Sequence, residues 1–291
     1  MRFALITRSA TPTNKALAAS SVDGVCWELL RPEEALAGLR PGDAALGRLD
    51  VLPTLDGVED GLWVLGALAA RGARVLNEAS SLLAAHDKLL TARLLRRAGL
   101  QHPRTLHLRH ERELPALTPP LVVKPRFGSW GYGVSRFKSR RSLEASLAKL
   151  RASPWFAWQG ALVQELVPPR GYDLRILIAA GQVVGAIRRV AAPGEWRTNI
   201  SLGGHREPVS DPPEEACALA VAAARASGAS LLGVDLLPTP EGTWTVVELN
   251  GAVEFTPEYS VSGDVFGAVA AALAKAVLDQ DAATDAVPAP V

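Results

Sequence analysis

The stretch LVVKPRFGSWGYGV, residues 121–134, leads from a buried strand directly into a glycine-rich loop. Its first three residues are apolar and predict a short strand, which Pro125 ends. Glycines at 128, 131 and 133 let backbone N–H groups approach an anion, and Lys124 supplies a compact positive charge for phosphate. The loop lacks the Gly-Lys-Ser/Thr of a Walker A motif and the spacing of a dinucleotide fingerprint. From this stretch alone, a phosphate-binding loop and a tight hairpin turn both stay open.

Two acidic residues and an asparagine form a second group in the C-terminal half. Residues 231–237 and 243–249 predict an antiparallel hairpin centred on residues 241–242, with Asp235 opposite Glu248. Asn250 follows two residues later, so its side chain leaves from the same face. Mg²⁺ prefers such oxygen ligands, and a cation would relieve the repulsion between opposed carboxylates. The alternative is a solvated acidic pair beside an asparagine turn, which the apolar neighbours of both acids disfavour.

A third group lies on the strands between these two. The strand end at residues 164–167 and the polar loop that follows it can offer backbone groups to a base and a carboxylate to a ribose. Arginines on neighbouring strands can neutralise phosphate or a carboxylate substrate. A charged strand face is the alternative interpretation. The residues concerned are Gln164, Glu165, Leu166, Val167, Asp173, Arg175, Arg188, Arg189, Arg197, Thr198 and Asn199.

Length and composition exclude several classes of protein. The chain has 291 residues, 48% of them apolar and 21% charged, which excludes disorder over most of its length. A formal net charge of +1 gives no general attraction to nucleic acid or anionic membranes. Two cysteines are too few for a disulfide framework or a zinc cluster. The longest apolar runs are shorter than the ~18 residues of a membrane span, and no signal peptide is evident. We therefore expect a soluble cytoplasmic protein without nucleic-acid or membrane partners.

The distribution of strand and helix patterns predicts an α/β fold. Strands alternate with helices up to about residue 78, and a helix is expected from Ser80 to Gly99. The second half is richer in strands, with a hairpin turn at residues 180–181 and helices at 214–227 and 264–278. Histidines 102, 107 and 110 lie around a connection and are expected to be solvated loop residues. The tail from Asp279 is expected to be disordered.

Taken in order, these segments resemble the ATP-grasp superfamily, and the closest similarity is to the RimK/LysX group of amino-acid ligases. The resemblance covers residues 1–278 and is specific because the segments recur together in this order. It also accounts for the positions of Lys88 and Lys124, two of only six lysines. The segments are HDK (86–88), VVKP (122–125), GSWG (128–131), VQELV (163–167), GYDLR (171–175), WRTN (196–199), GVD (233–235) and VELN (247–250).

The resemblance implies an ATP-grasp fold with α+β lobes. An N-terminal pre-ATP-grasp α/β domain is expected at residues 1–78, a small central lobe at 79–155 and a C-terminal lobe with the metal site at 156–278. Residues 279–291 remain as a tail. The loop at residues 128–133 would be a lid over the phosphates of the nucleotide.

Site residues follow from the same resemblance. ATP is expected on Lys88, Lys124, Gly128, Ser129, Trp130, Gly131, Gln164, Glu165, Leu166, Val167, Asp173, Arg189, Arg197, Thr198 and Asn199, with Asp173 near the ribose. Catalytic roles fall on Arg175, Arg189 and Asn199. One or two Mg²⁺ ions, which Mn²⁺ can replace, are expected on Asp235, Glu248 and Asn250. The amine substrate is expected near Gly251, Glu254 and Phe255.

The implied reaction transfers phosphate from ATP to a carboxylate, and an amine then attacks the acylphosphate. The GSWG and WRTN segments and the Glu254-Phe255 pair resemble the LysX/ArgX branch, which joins an amino acid to the C-terminal glutamate of a small acidic carrier protein. RimK-like ligases of ribosomal proteins carry Ser-Pro-Gly in place of Glu-Phe. Val190 stands where a second arginine is common in the family, and residues 251–253 depart from the usual residues of the branch.

The leading hypothesis is therefore an ATP- and Mg²⁺-dependent carboxylate–amine ligase. Its partners would be ATP, an amino acid donor and a glutamate-terminated acceptor, which is a carrier protein, another protein or a small molecule. A homodimer is expected for the family. The alternatives are a RimK-type α-L-glutamate ligase acting on a protein C-terminus, a nucleotide-binding module without turnover, and a kinase that stops at phosphoryl transfer.

Overall fold

The computed structural model describes residues 1–50, 61–109 and 116–285. These residues form three β-sheets with helices packed on them. Within these ranges, none of the helices combines the length and apolar character that a transmembrane span requires. His110, which was expected in a solvated loop, lies outside the described residues.

The first sheet is parallel and has the α/β pattern that the sequence predicts. Its order is β2-β1-β3-β4, from β1 (Arg2–Ile6), β2 (Cys26–Leu30), β3 (Ala44–Gly47) and β4 (Arg74–Leu76). Helices α1 (Pro12–Ala18), α2 (Pro32–Gly38) and α3 (Leu62–Ala70) accompany it. Alternate side chains of β1 enter two different hydrophobic clusters, so both faces of this sheet are covered.

The helix expected from Ser80 to Gly99 is two helices, α4 (Ala79–His86) and α5 (Lys88–Arg97). Asp87 interrupts them with an extended ψ of 98°, and its carboxylate accepts hydrogen bonds from the first backbone N–H groups of α5. An aspartate can cap a helix as well as continue one, so the apolar stripe alone did not reveal the break. The break makes Lys88 the first residue of α5.

The second sheet has the order β5-β8-β6-β7 and is antiparallel throughout. Its strands are β5 (Thr105–Leu108), β6 (Leu121–Pro125), β7 (Ser135–Phe137) and β8 (Ala161–Glu165), with α6 (Arg140–Arg151) and α7 (Pro154–Gln159) beside them. Strand β8 returns after both helices and pairs between β5 and β6. The boundary expected between the central and C-terminal lobes, at residues 155 and 156, therefore separates β8 from the strands with which it pairs.

The third sheet has the order β11-β10-β9-β12-β13. Its strands are β9 (Tyr172–Ala179), β10 (Gln182–Val190), β11 (His205–Pro208), β12 (Leu231–Pro238) and β13 (Trp244–Asn250). The turn at Ala180 and Gly181 is confirmed, and both residues have the positive φ of a tight hairpin, 47° and 76°. Helix α8 (Glu214–Ser227) shares one hydrophobic cluster with the sheet, and α9 (Val265–Asp285) shares another.

The end of α9 corrects the predicted tail. Residues 279–285 continue the helix instead of being disordered, and residues 286–291 lie outside the described part of the chain. The apolar periodicity that predicted the helix stops near residue 278. Residues 279–285 contain neither proline nor glycine, so the helical hydrogen bonds continue through them. The next proline is Pro288.

Candidate active site

One cavity lies between the second and third sheets and is lined by residues from both. Strands β6 and β8 line it from one side, and β9, β10, β12 and β13 line it from the other. The structure thus brings together twelve of the predicted site residues, which are far apart in sequence. They are Lys124, Gln164, Glu165, Leu166, Val167, Asp173, Arg189, Arg197, Thr198, Asn199, Asp235 and Glu248.

Lys124 provides a buried positive charge in the wall of this cavity. It is 9% exposed, and its Nζ donates to Oε1 of Gln164 on the neighbouring strand at 3.0 Å. Burial lowers the pKa of Lys124 to about 8, while the negative charge of Glu248 opposes this shift and Lys88 adds to it. The amine is therefore easier to deprotonate than that of an ordinary lysine.

Lys88, at the start of α5, is not among the residues that line the cavity, but it brings a second positive charge to Glu248, which does line it. Its ammonium donates to the backbone carbonyl of Gly128 in the glycine loop and lies 3.0 Å from Oε1 of Glu248. The neighbouring Asp87 is 5% exposed and accepts a hydrogen bond from Nε of Arg126 at 2.7 Å. This capped and bridged helix start fixes the backbone from which Lys88 extends. The partnership of Arg126 with Asp87 was not evident from the sequence.

The glycine loop is docked against the segment that follows β10. Ser201 donates its hydroxyl to the carbonyl of Trp130 at 2.9 Å, and Arg197 donates to the carbonyl of Gly131 at 3.2 Å. Gly131 has φ 76°, and a Cβ there would lie 2.8 Å from Oδ1 of Asn199. The ring of Trp130 is exposed, so this residue meets the docked segment through its backbone.

A cluster of buried charges connects the third sheet to the cavity. Arg189 donates to both oxygens of Asp173, at 2.8 and 2.5 Å, and to Oδ2 of Asp235 at 2.8 Å. Arg175 binds the two oxygens of Asp235 at 2.6 and 2.8 Å. Burial raises the pKa of Asp235, but the two guanidiniums together hold it at about 2. Asp235 is therefore ionised at neutral pH.

Asp173 occupies this cluster rather than standing alone at the cavity wall. It is 3% exposed, and besides Arg189 it accepts a hydrogen bond from the hydroxyl of Thr198 at 2.6 Å. Its carboxylate orients an arginine and a threonine that line the same cavity. The expected role of Asp173 at a ribose stays a prediction.

The hairpin of β12 and β13 has the predicted pairing at its functional end. Asp235 lies opposite Glu248, but Leu236 then lies opposite Val246, which leaves Val247 as the extra residue of a β-bulge. Nearer the turn the register is therefore one residue away from the predicted one. The bulge places Asp235 and Glu248 across from each other.

The donor set of this hairpin fits a magnesium ion. Asp235, Glu248 and Asn250 offer two carboxylates and one amide oxygen, and Mg²⁺ characteristically fills its other positions with water and phosphate oxygens. Nδ2 of Asn250 donates to the carbonyl of Gly233 at 3.5 Å, which leaves Oδ1 as its ligand atom. In the described part of the chain, no group of three histidine, cysteine or acidic side chains is gathered at a common point. The carboxylate of Asp235 has about four lone pairs and accepts three hydrogen bonds from Arg175 and Arg189, so it would bind the ion through the remaining lone pair or through one that an arginine gives up.

The three residues expected at the amine substrate occupy different environments. Phe255 is 2% exposed and stacks on Phe266, so its side chain belongs to the core and does not face a substrate. Gly251 packs against α4, where a Cβ would lie 2.9 Å from a methyl group of Leu82. Glu254 is half exposed and accepts hydrogen bonds from Thr11 and Arg48. Of the three, Glu254 is the residue whose side chain can meet a substrate.

The structural roles of three residues, one arginine and two histidines, were not recognised from the sequence. Arg48 has a side chain only 1% exposed and donates to the carbonyl of Val253 at 2.8 Å, but nothing distinguishes it among 25 arginines in the sequence. His102 and His107 are half-buried and each bonds a backbone carbonyl, so the expectation of solvated loop histidines was wrong for both. Loop position alone does not reveal such a bond.

Comparisons with known proteins show which family this chain is similar to. The model of the RimK-like ATP-grasp domain matches residues 85–271. The "Probable alpha-L-glutamate ligase 1" of Shewanella amazonensis is 32% identical over 223 residues, which are 74% of this chain and 72% of the relative. The "Probable alpha-L-glutamate ligase" of Thioalkalivibrio sulfidiphilus is 33% identical over 234 residues, 78% of this chain and 74% of the relative.

Solved structures share the overall fold. The D-cycloserine synthetase DcsG superposes with a TM-score of 0.69 at 19% identity and covers 95% of this chain and 100% of its own. A RimK domain ATP-grasp protein from Sphaerobacter thermophilus gives 0.64 at 21% identity, covering 94% and 100%. D-alanine–D-alanine ligase from Bacillus anthracis gives 0.65 at 15% identity, covering 97% and 99%. At these identities the likeness establishes the fold.

Proposed function

Because the chain belongs to the RimK-like ATP-grasp family and is an ATP-dependent ligase, we propose that it joins an amino acid to a glutamate-type carboxylate through an acylphosphate. One observation carries this proposal: Lys124, Asp235 and Glu248 line one cavity, and Lys88 forms an ion pair with Glu248. Lys88 and Lys124 come from the helix start and the second sheet, and Asp235 and Glu248 come from the third sheet. Positive charge and metal-type oxygen ligands therefore meet where a nucleotide would place its phosphates.

The nucleotide would lie along the cavity with its base at residues 165–167 and its phosphates toward Lys124 and Lys88. The end of β8 lines the cavity, as both the sequence and the family resemblance predict for an adenine site. The glycine loop lies against residues 197–201 and would cover the phosphates. Such a cover excludes water from a reactive acylphosphate, which would otherwise be hydrolysed.

Magnesium is the metal we propose for Asp235, Glu248 and Asn250. When bound, it supplies positive charge to the phosphates of ATP and to the charge that develops during phosphoryl transfer. Glu248 presents a carboxylate whose described partner is an ammonium. Asn250 presents an amide oxygen, and Asp235 is fixed in place by two guanidiniums. The donor chemistry supports the assignment of this hairpin as the metal site.

Arg175, Arg189 and Asn199 are proposed as the groups that stabilise the reacting anions. Arg189 and Asn199 line the cavity, and Arg175 is held beside it through Asp235. A guanidinium presents donors in a fixed plane, which suits the oxygens of phosphate and carboxylate. Because Arg189 is already bound by two carboxylates, its orientation is set before a substrate arrives.

The amino acid and the acceptor are the finer part of the proposal. The resemblance of the GSWG, WRTN and Glu254-Phe255 segments to the LysX branch supports addition of an amino acid to the terminal glutamate of a carrier protein. The half-exposed carboxylate of Glu254 supports recognition of a positively charged amine nearby. A second candidate is the addition of glutamate to a protein C-terminus, which is favoured by the names of the curated relatives.

The test is ADP release with ATP and Mg²⁺ across pairs of amino acids and glutamate-terminated peptides, with products read by intact mass. A gain of one amino acid less water, dependent on both partners, is the expected result. The variants Lys124→Met and Glu248→Gln should lose this turnover. A phosphorylated product that forms without any amine would replace the ligase with a kinase. ADP binding without turnover on any pair, including glutamate with a protein C-terminus, would favour a non-catalytic module.

A further inference from the structure

His102 lies in the connection between α5 and β5, next to the wall that carries Lys124. Its Nδ1 is 2.8 Å from the carbonyl oxygen of Val246 on β13. The backbone N–H of Val246 in turn donates to the carbonyl of Gln101 at 3.0 Å. Residues 101 and 102 thus bind both backbone polar groups of Val246, which lies two residues before Glu248. This contact joins the connection to the hairpin of the metal site.

The partners of His102 determine its tautomer. A carbonyl oxygen only accepts hydrogen bonds, so Nδ1 carries the proton and Nε2 of the neutral ring is an acceptor. Burial, together with the nearby charge of Lys124, lowers the pKa of His102 to about 4. The ring is therefore neutral at physiological pH, with its lone pair on Nε2.

That lone pair faces the amide of Gln164. Nε2 of Gln164 lies 3.4 Å from Nε2 of His102 and 2.6 Å from Oγ1 of Thr105. The hydroxyl of Thr105 donates to the carbonyl of Pro103 at 2.8 Å, so its oxygen accepts from the amide. The two amide hydrogens of Gln164 therefore have two acceptors, His102 and Thr105.

This arrangement leaves the amide oxygen of Gln164 on the side of Lys124, where it accepts from Nζ at 3.0 Å. A flipped amide would place its NH₂ group against the ammonium of Lys124. It would also place the amide oxygen against the lone pair of His102. A flipped amide would lose its hydrogen bonds to Lys124 and His102, so Nε2 of His102 selects the orientation that holds the lysine. The hydroxyl of Thr105, which also lies 3.3 Å from Nε2 of His102, can donate or accept and selects neither orientation.

We propose that His102 is a positioning residue for Lys124, acting through the amide of Gln164. It also links the position of this lysine to β13 at Val246, two residues from Glu248. The inference rests on the proposed function because it takes Lys124 as a cation that binds nucleotide phosphate. His102 is not itself a lining residue of the cavity and touches no reacting atom that we assign; it contacts Gln164, which does line the cavity.

Three substitutions separate the two hydrogen bonds of the ring. His102→Gln keeps an acceptor within reach of the Nε2 position, His102→Asn keeps a donor near Nδ1, and His102→Phe keeps the volume but removes both. We expect His102→Phe and His102→Asn to weaken ADP binding about tenfold, the effect of losing one buried hydrogen bond. His102→Gln should restore affinity to within about twofold of the unchanged protein, since it supplies the acceptor again. Calorimetric titration with ADP and thermal unfolding of each variant give these quantities.

A double-variant cycle tests whether His102 acts through Gln164. The combination of His102→Phe with Gln164→Leu should bind ADP no more weakly than Gln164→Leu alone. Additive losses would overturn the inference, as would a stable His102→Gln variant that binds as weakly as His102→Phe. If the phenylalanine variant fails to fold, the glutamine and asparagine variants decide the question.

His107→Phe is the matched control. His107 makes an analogous bond from Nε2 to the carbonyl of Gln159 at 2.9 Å, and strand β8 separates it from Lys124, since both residues pair with Leu162. Its loss should lower thermal stability and leave ADP affinity unchanged.

If Lys124→Met binds ADP as tightly as the unchanged protein, the proposed phosphate site fails. If Lys124→Met binds weakly and stable His102→Phe and His102→Asn variants bind normally, only the role of His102 fails.

Discussion

The ammonium of Lys88 lies 3.0 Å from Oε1 of Glu248, and this ion pair joins the start of α5 to β13. One partner is the expected phosphate ligand and the other is the expected metal ligand. In the absence of ligands each neutralises the other. In the proposed function, phosphate would bind the lysine and the metal ion would bind the glutamate. The ion pair would then couple the two binding events, because either ligand alone would leave one charge without its partner.

Replacing Glu248 by glutamine should have opposite effects on metal-free and metal-bound nucleotide. Without the competing carboxylate, Lys88 is available to phosphate, and metal-free ADP should bind about fivefold more tightly, since a partly exposed ion pair contributes ~1 kcal/mol. The gain in affinity that Mg²⁺ gives should disappear, because a metal ligand is lost. Calorimetric titration with ADP, in EDTA and in Mg²⁺, measures both.

The matched control for this change is Glu207→Gln. Glu207 forms an exposed ion pair with Arg188 at 3.4 Å on strands outside the metal hairpin, and its loss should alter neither titration. Weaker binding of metal-free ADP to the Glu248→Gln variant would show that Lys88 depends on the ion pair for its position.

Nucleotide affinity should fall as pH rises through about 8, where the buried amine of Lys124 loses its proton. The charged form binds phosphate, and at pH 9 about a tenth of the molecules would retain that charge. ADP affinity measured from pH 7.5 to 9.5 should therefore decrease by up to about 25-fold, since the charged fraction falls from about three quarters to about 3%. A flat profile in the unchanged protein would contradict the assignment of Lys124 to phosphate.

Lys124→Met is the control for this pH profile, since it should bind weakly at every pH. The same lysine predicts that the free energy of unfolding changes with pH in the direction opposite to ADP affinity. Its pKa is about 8 in the folded protein and near the ordinary 10.5 when unfolded, so the unfolded chain holds more protons between these values. The free energy of unfolding should therefore rise with pH across this window, and Lys124→Met should remove that rise. Chemical denaturation at several pH values measures it.

Substitution of Asp173 by asparagine separates two roles for this carboxylate. If Asp173 orients Arg189, the change should lower kcat at least tenfold and affect the KM for ATP about twofold or less, since a charge-assisted hydrogen bond to a catalytic group is lost. Discrimination between ATP and its 2′-deoxy and 3′-deoxy forms should stay as it is. Steady-state kinetics with the three nucleotides measures this.

Thr198→Val provides a milder version of the same change. It removes the hydroxyl that donates to Asp173 at 2.6 Å but leaves the charges in place. A smaller fall in kcat is expected. If Asp173→Asn instead raises the KM for ATP alone and abolishes discrimination against the deoxynucleotides, the carboxylate binds the ribose as the family resemblance implied.

Local patterns in the sequence predicted helices and strands, but they predicted few of the contacts between them. The turn at residues 241–242 predicted the pairing of Asp235 with Glu248, and the pairing was confirmed. The bulge at Val247 was not predicted, because an extra residue in one strand leaves no mark on alternation over so short a run. Likewise Asp87 was predicted inside a helix, because an aspartate can continue a helix as well as cap one, and its ion pair with Arg126 joins residues 39 positions apart.

The family resemblance also did not separate a residue of the hydrophobic core from a residue at the surface. Glu254 and Phe255 are adjacent and were both expected near the substrate, yet the phenylalanine packs in the core and the glutamate reaches the surface. A recurring residue pair can mark a fold as well as a site. Strand β8 shows a similar limit: its apolar residues predicted a strand, but its position between β5 and β6 comes from pairing distant in sequence.

The docking of the glycine loop gives the last prediction. A Cβ at Gly131 would lie 2.8 Å from Oδ1 of Asn199, so Gly131→Ala should push the loop away from residues 197–201 and raise the KM for ATP about tenfold. Gly181 has the same φ of 76° with no neighbour within 4 Å of a Cβ, so Gly181→Ala carries the same backbone strain without the collision. Both variants should lose ~1 kcal/mol of stability, and only Gly131→Ala should change the KM. Protease cleavage of the loop, measured with and without ADP, checks the cause: Gly131→Ala should be cut readily in both conditions. Equal kinetics in the two alanine variants would show that contact between the loop and Asn199 is dispensable for nucleotide binding.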